Sequence, residues 1–133
     1  MSRSARETEA LAARWVRTLK AGSVVALVGE LGSGKTTFVR GMARGLGSRH
    51  RVQSPTFVLL HTYPGKKPLH HLDFYRLESL AELEELGIEE LFAGSGIAVV
   101  EWADKFPKNF PRHTTWVSLK YSGPERRAIH ITG

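Results

Sequence analysis

Residues 29–36 read Gly-Glu-Leu-Gly-Ser-Gly-Lys-Thr, which is a complete phosphate-binding pattern of the form GxxxxGK[ST]. Glycines allow the backbone to curl so that successive N–H groups point into one concavity, where they hold phosphate oxygens. In such a loop the lysine reaches the β- and γ-phosphates, and the last hydroxyl completes the coordination of Mg²⁺. These residue types therefore predict a nucleoside triphosphate site with Lys35 and Thr36 at its centre.

The segments on both sides of this loop support the prediction. Before it, residues 23–28 form a continuous apolar and β-branched run, typical of a strand buried on both faces of a parallel sheet. After it, apolar residues recur at helical spacing over residues 37–46. Strand, loop and helix thus follow in the required order, which makes an ordinary glycine-rich turn the weaker interpretation.

Helices and strands also alternate along the rest of the chain. The segment Ser4-Ala5-Arg6-Glu7 has the Ser-x-x-Glu pattern that starts a helix. The hydrophobic patterns then predict an acidic helix at 79–86 and strands at 56–63, 69–75, 97–102, 114–121 and 127–132. We therefore expect one domain over residues 1–133, an α/β three-layer fold of the P-loop NTPase type with a mixed, partly parallel central sheet.

Phosphoryl transfer also requires carboxylates, and two acids stand at predicted strand ends. Glu101 follows four apolar residues of a strand that we expect beside the phosphate-loop strand, where a magnesium-binding acid meets the carboxyl edge of the sheet. Asp73 ends the return strand of a predicted hairpin. Each acid also has a structural interpretation, which for Asp73 is a surface carboxylate paired with a neighbour such as Arg76.

The loop after the phosphate-loop helix contains two hydroxyl residues, Ser54 and Thr56. In many phosphate-loop proteins this region approaches the γ-phosphate and changes order on hydrolysis, so both residues are candidates for a switch. A simple turn cap is the alternative.

The chain has no Asn-Lys-x-Asp segment for reading guanine, and its connections are too short for the lid of a typical small-molecule kinase. ATP is therefore favoured over GTP.

The composition narrows the class of protein. Without cysteine the chain has neither a disulfide framework nor a thiolate zinc site. No apolar run approaches the ~20 residues needed to cross a bilayer, and the N-terminus leads into an amphipathic segment rather than a signal sequence. We expect a cytoplasmic protein with no membrane partner.

The distribution of charge favours an anionic partner. Residues 78–90 contain six acids and no Lys or Arg, so the remainder of this chain of net charge +6 carries +12. Such an excess suits RNA as well as ATP, and solubility is the simpler explanation. Two alternatives to an ATPase therefore stay open: a small-molecule or nucleoside kinase, and a nucleotide-dependent RNA-binding assembly module.

Four motifs together resemble the bacterial TsaE (YjeE) family in order and spacing. They are the phosphate loop with its continuation to Phe38, then Ser54-Pro55-Thr56-Phe57, His71-Leu72-Asp73-Phe74-Tyr75-Arg76-Leu77 and Glu101-Trp102. The N-terminal helix with Glu7-Thr8 also fits, so the resemblance covers nearly the whole chain. Glu30, Ser33 and Phe74 stand where Asp, Ala and Leu are frequent in the family.

The resemblance implies an ATPase of tRNA modification. Such a protein acts with TsaD and TsaB to form N6-threonylcarbamoyladenosine at position 37 of tRNAs that read ANN codons. TsaD transfers the threonylcarbamoyl group, and the TsaE-like subunit hydrolyses ATP at the shared interface to reset the complex. Hydrolysis is expected to be weak for the isolated subunit and faster with its partners.

The resemblance also implies roles for individual residues. Asp73 would be the essential acid near the γ-phosphate, Thr8 would approach the base or ribose, and Trp102 would lie close to the nucleotide. Thr56 would belong to the switch loop, and Thr36 and Glu101 would hold Mg²⁺. The phosphates would be bound by Leu31, Gly32, Ser33, Gly34, Lys35 and Thr36.

Overall fold

The computed structural model of the protein describes residues 2–30, 33–48, 60–65, 67–75 and 77–133. The part of the predicted strand 56–63 that precedes Leu60 lies outside these residues. The same is true of five residues that were assigned roles above: Leu31, Gly32, Ser54, Thr56 and Arg76.

Helices and strands alternate along the described chain. In order they are α1 Ala5–Val16, β1 Val24–Val28, α2 Lys35–Gly45, β2 Leu60–Tyr63, β3 Leu69–Asp73, α3 Leu80–Glu85, α4 Ile88–Ala93, β4 Ile97–Glu101, β5 Thr115–Tyr121 and β6 Arg127–Thr132. Two short 3₁₀ turns, Ala103–Lys105 and Pro107–Asn109, lie between β4 and β5.

The strands form one six-stranded sheet in the order β2-β3-β4-β1-β5-β6. Strands β3, β4, β1 and β5 run parallel, whereas β2 and β6 pair antiparallel at the two edges. The mixed, partly parallel sheet is therefore confirmed, and β4 lies directly beside β1 as expected. In open α/β sheets ligands bind outside the carboxyl ends of the strands. The edge at which β1, β3 and β4 end is thus the place where a site is expected.

Helices cover both faces of this sheet. On one face α1 and α2 pack against strand residues that include Leu27 and Val99. On the other face α3 and α4 pack against residues that include Ala26 and Val100. Sequence neighbours point to opposite faces because side chains alternate along a strand. The structure therefore has the predicted three layers, with an apolar core on each side of the sheet.

Two strands end earlier than their hydrophobic patterns predict, and both end at an acid. The strand predicted over 97–102 ends at Glu101, since Trp102 has a left-handed backbone with φ 58°. The strand predicted over 69–75 ends at Asp73, whose Oδ1 accepts a hydrogen bond of 2.8 Å from the N–H of Tyr75. Such a side-chain bond turns the chain locally. Both acids consequently stand at the end of the sheet rather than within it.

Helix α1 starts as its sequence pattern predicts. The Oγ of Ser4 accepts from the N–H of Glu7 at 3.1 Å, and the carboxylate of Glu7 accepts from the N–H of Arg3 at 2.6 Å. On the inward side of the helix, the half-buried Trp15 packs against Phe38 of α2 with ring centroids 5.7 Å apart, at the border of the core. None of the helices in the described ranges has the length and apolar character needed to cross a bilayer.

Glycines of α2 allow α1 to approach it closely. A Cβ atom at Gly41 would lie 2.2 Å from the carbonyl oxygen of Glu9, and one at Gly45 would lie 2.4 Å from that of Ala13. Both separations are far shorter than any normal carbon–oxygen contact, so the two helix backbones are in direct contact at these points. This contact fixes α1, which carries Thr8, relative to the first turn of α2.

We predict that Gly41→Ala lowers the thermal unfolding midpoint, although alanine by itself favours a helix by about 1 kcal/mol over glycine. Overpacking costs roughly 1–3 kcal/mol, and here the obstacle is backbone that has no alternative rotamer. Circular dichroism melts would measure the effect. Arg40→Ala, an exposed change one residue away on α2, is the matched control and should not lower the midpoint. An unchanged midpoint for Gly41→Ala would contradict the tight packing.

Candidate functional site

The described part of the phosphate loop leads from β1 into α2 through glycines that the geometry requires. Gly34 is the N-cap of α2 with φ 100°, a left-handed conformation that glycine adopts without strain. A Cβ at Gly29 would lie 2.7 Å from the carbonyl oxygen of Leu119 on β5, so a larger residue would displace the loop. No side chain caps α2. The N–H groups of its first turn are therefore free to bind an anion, which the helix dipole also favours.

Lys35 is folded back onto this loop. Its side-chain ammonium donates to the carbonyl oxygen of Gly29 and, at 3.4 Å, to that of Glu30, and it lies 3.7 Å from the centroid of the Trp102 ring. The residue is only 5% exposed. Burial lowers the pKa of Lys35, whereas the nearby carboxylates of Glu101, Asp73 and Asp104 act in the opposite direction. The ammonium thus has two loop carbonyls and an aromatic ring as direct partners, with three carboxylates nearby.

Asp73 and Glu101 are brought together by strand register. They are direct partners at the last positions of the parallel pair β3 and β4. Asp73 is 6% exposed, so the alternative that it is a carboxylate on the protein surface is wrong. Its suggested partner, Arg76, lies outside the described residues. Burial raises the pKa of Asp73, and the charge of Glu101 adds to this, while the Tyr75 N–H, His71 and Lys35 oppose it. The site therefore holds two acids and one lysine in mutual electrostatic contact.

Glu101 has a buried partner that the sequence analysis assigned no role. The Nε2 atom of His71 lies 2.5 Å from Oε2 of Glu101, and the exposed fractions of the two residues are 0% and 3%. The other ring nitrogen, Nδ1, is 3.4 Å from the hydroxyl of Tyr63 on β2. Strand alternation could have indicated the contact, because 71 and 73 share one face of β3 with 99 and 101 of β4. The required strand pairing was not evident from the sequence.

Lys105 fixes the two segments that follow the acids. Its Nζ donates to the carbonyl oxygens of Tyr75 and Leu77 at 2.7 and 2.6 Å. The Tyr75 ring packs on Trp102 with centroids 4.9 Å apart. Nothing in the sequence distinguished Lys105 from the other basic residues, but its ammonium hydrogen-bonds to backbone within the molecule. The chain just beyond Asp73 is thereby tied to the chain just beyond Glu101.

The far side of the loop faces α1 and β6. Thr8 is 1% exposed and its hydroxyl lies 2.6 Å from that of Ser2. It lines a small cavity of about 110 Å³ with Gly34, Thr37 and Arg127. Arg127, which the sequence analysis did not single out, donates from Nε to the carbonyl oxygen of Ser33 at 3.0 Å. Thr8 is therefore on the opposite side of the loop from the acids, next to the first turn of α2.

A larger cavity opens beside the loop at the carboxyl edge of the sheet. It measures about 740 Å³ and is lined by residues that include Glu30, Ser33, Trp102, Asp104 and Tyr121. This volume falls in the range of small-molecule sites. The cavity reaches Trp102, which lies against Lys35. Trp102 thus contacts both Lys35 and this cavity, and its closeness to a nucleotide stays a prediction.

The available donors suit Mg²⁺. Thr36 lies in the first turn of α2, adjacent to Lys35, and Glu101 presents a carboxylate at the end of the neighbouring strand. Within the described ranges no group of three or more His, Cys, Asp or Glu could hold a metal by itself. Mg²⁺ in nucleotide sites characteristically takes one or two protein oxygens and completes its shell with phosphate oxygens and water. Thr36 and Glu101 therefore supply the small number of protein oxygens that a nucleotide-bound Mg²⁺ takes.

We predict that Asp73→Asn raises the thermal midpoint near pH 7.5. Because burial raises the pKa of this carboxyl, the folded state binds its proton more tightly than the unfolded chain, and ionisation costs stability as pH rises above about 4. The gain from Asn should therefore shrink as pH falls toward 4. Melts followed by circular dichroism at several pH values test this, with Glu85→Gln, an exposed change on α3, as control. A lower midpoint for Asp73→Asn would mean that pairing with Lys35 outweighs burial.

Known proteins match both the sequence and the fold. The family model described as "Threonylcarbamoyl adenosine biosynthesis protein TsaE" matches residues 2–129. The tRNA threonylcarbamoyladenosine biosynthesis protein TsaE of Treponema pallidum is 42% identical over 135 residues, which cover 98% of this chain and 97% of that protein. The protein of the same name from Bacillus subtilis is 42% identical over 127 residues, with coverage of 95% and 79%.

The fold has a counterpart among solved structures. The crystal structure of YdiB from Bacillus subtilis superposes with a TM-score of 0.82 at 35% identity and covers 96% of this chain and 79% of that one. Together with the family model, which extends over nearly the whole chain, this similarity confirms the relationship that the four motifs indicated. The chain belongs to the TsaE family.

Proposed function

We propose that this protein is a Mg²⁺-dependent ATPase that serves threonylcarbamoyladenosine formation on tRNA, the process named in its curated relatives. One observation carries the enzymatic part of the proposal: the register of β3 and β4 places Asp73 and Glu101 side by side, within electrostatic reach of the phosphate-loop Lys35. A phosphate-binding loop alone would support binding, whereas buried acids at its γ-phosphate end support hydrolysis.

The loop and α2 bind the triphosphate. The uncapped N–H groups of α2 meet the phosphate oxygens, and Leu31 to Gly34 supply the rest of the cradle. Lys35 exchanges the carbonyl oxygens of Gly29 and Glu30 for phosphate oxygens, a favourable exchange because a charged acceptor binds an ammonium more strongly than a neutral one. Thr8, which lines the small cavity with Thr37, is proposed to approach the base or ribose.

Thr36 on α2 and Glu101 on β4 would hold Mg²⁺. When bound, the cation neutralises charge on the β- and γ-phosphates. Asp73 accepts a hydrogen bond from the attacking water and orients it toward the γ-phosphate. Its raised pKa makes it a better proton acceptor than a solvated aspartate. Thr56 is proposed for the switch loop on the family resemblance alone.

The partners we propose are TsaD and TsaB, with tRNA bound by the complex in the cytoplasm. Direct RNA binding by this subunit is less favoured, because several of its basic side chains have partners inside the molecule. Lys105 and Arg127 bond to backbone carbonyls, Lys67 donates to Leu19 and Arg44 pairs with Glu9. These four basic groups thus have partners within the molecule, while the net charge of the chain is unchanged.

We predict that Lys35→Ala and Glu101→Gln each reduce ATP hydrolysis by about 100-fold or more, since each removes a charge that acts on the transferred phosphoryl group. Phosphate release is the measurement, and circular dichroism must show a retained fold. Lys108→Ala removes an exposed lysine and is the matched control, which should keep wild-type activity. Activity of either site variant within a few-fold of wild type would contradict the assigned roles.

We also predict that phosphate release rises when TsaD and TsaB are added together with ATP and Mg²⁺, and that Asp73→Asn abolishes the rise. A parallel reaction with γ-labelled ATP distinguishes the kinase alternative, because label would then appear on an acceptor other than water. No stimulation by the two proteins, or transfer to such an acceptor, would contradict the proposed function.

A further inference from the structure

We propose that His71 is a positioning residue that holds the Glu101 carboxylate in the one orientation from which it binds Mg²⁺. This inference rests on the proposed function, since it concerns the same cation. It is carried by the geometry of a buried pair: Nε2 of His71 lies 2.5 Å from Oε2 of Glu101, and both side chains are withdrawn from solvent.

Glu101 needs such a partner because its backbone alone does not fix its carboxylate. The strand sets the Cα position, but three side-chain torsions remain, and the last of them is broad in glutamate. An ionised carboxylate has only acceptor atoms, so the imidazole donates to it. With Oε2 engaged in this way, the second oxygen is held in a single direction. Asp73 needs no equivalent, because it is shorter and already accepts from the Tyr75 N–H.

His71 is itself held rigidly enough to act in this way. It is fully buried in β3, a strand paired on both sides, and lies directly opposite Val99 on β4 and His61 on β2. The Tyr63 ring lies 6.0 Å from the imidazole, and its hydroxyl is 3.4 Å from Nδ1. The donor thus belongs to the sheet rather than to a loop, so its position does not depend on the residues that bind nucleotide.

A purely structural role is the competing explanation, since a buried carboxylate without a donor is costly wherever it lies. The two roles differ in what they predict for the metal. A positioning role requires that loss of His71 weakens Mg²⁺ binding through Glu101 and leaves metal-free nucleotide binding intact. Partners of metal ligands typically change metal affinity by about 10–100-fold.

The test measures the dissociation constant of a fluorescent, non-hydrolysable ATP analogue, once with excess Mg²⁺ and once with EDTA. The ratio of the constant in EDTA to the constant in Mg²⁺ gives the factor by which the cation strengthens binding of the analogue. We expect His71→Leu to reduce this ratio by about tenfold, with the constant in EDTA unchanged. His71→Gln, whose amide reaches the former Nε2 position, should restore most of the ratio. His70→Leu removes the neighbouring histidine on the opposite face and is the matched control.

A double-mutant cycle separates action through Glu101 from an independent effect. If His71 works only by orienting Glu101, then His71→Leu combined with Glu101→Gln should have the ratio of Glu101→Gln alone. The inference would be overturned if the double variant lost the product of the two single-variant factors, which is the result for independent effects. A wild-type ratio in His71→Leu would overturn it as well. Should His71→Leu fail to fold by circular dichroism, His71→Asn, which is too short to reach Glu101, takes its place with the same expectation.

The experiment also distinguishes the inference from the function on which it depends. Wild-type protein that binds no nucleotide, or binds it equally with and without Mg²⁺, would overturn the proposed function itself. Wild-type protein with a clear Mg²⁺ contribution that His71→Leu retains would overturn only the role of His71.

Discussion

The site depends on the parallel register of three neighbouring strands. Because β3, β4 and β1 run in the same direction, their carboxyl ends meet at one edge, and Asp73, Glu101 and the start of the phosphate loop arrive there together. Residues separated by 28 or more positions in the chain are thereby placed within electrostatic reach of one another. Both acids are the last residues of their strands, and the backbone leaves the sheet just beyond each of them.

The same register buries charged groups, and the surrounding structure offsets the free energy that their desolvation costs. Two carboxylates and an ammonium are withdrawn from water at this edge, and unpaired buried charges are strongly unfavourable. Each group has a fixed local partner: His71 for Glu101, the Tyr75 N–H for Asp73, and loop carbonyls with the Trp102 ring for Lys35. The carbonyl and ring partners of Lys35 are neutral, so in the proposed function a charged phosphate oxygen replaces them with a stronger interaction.

The other side of the loop is fixed by close packing rather than by charge. Glycines of α2 bring the backbone of α1 into contact, and Arg127 ties β6 to the loop at Ser33. The backbone bonds between Ser2 and Arg127 close this side near Thr8. The side of the loop at which we propose the nucleoside is thus built from the N-terminal and C-terminal parts of the chain. The phosphate end is built from the middle, and only the loop and α2 belong to both.

The sequence by itself determined the phosphate-loop motif, the order of the strands, the three-layer class and the family, because these depend on local spacing and on motifs contiguous in the chain. Helix α4 was not among the helices that it predicted. It also indicated both acids, but it could not decide whether Asp73 was buried. Only the tertiary structure decided that, since burial and the His71–Glu101 bond arise from strand pairing across 30 residues. The internal use of Lys105 and Arg127 was equally invisible, because a long basic side chain looks the same in sequence whether it faces solvent or a carbonyl oxygen.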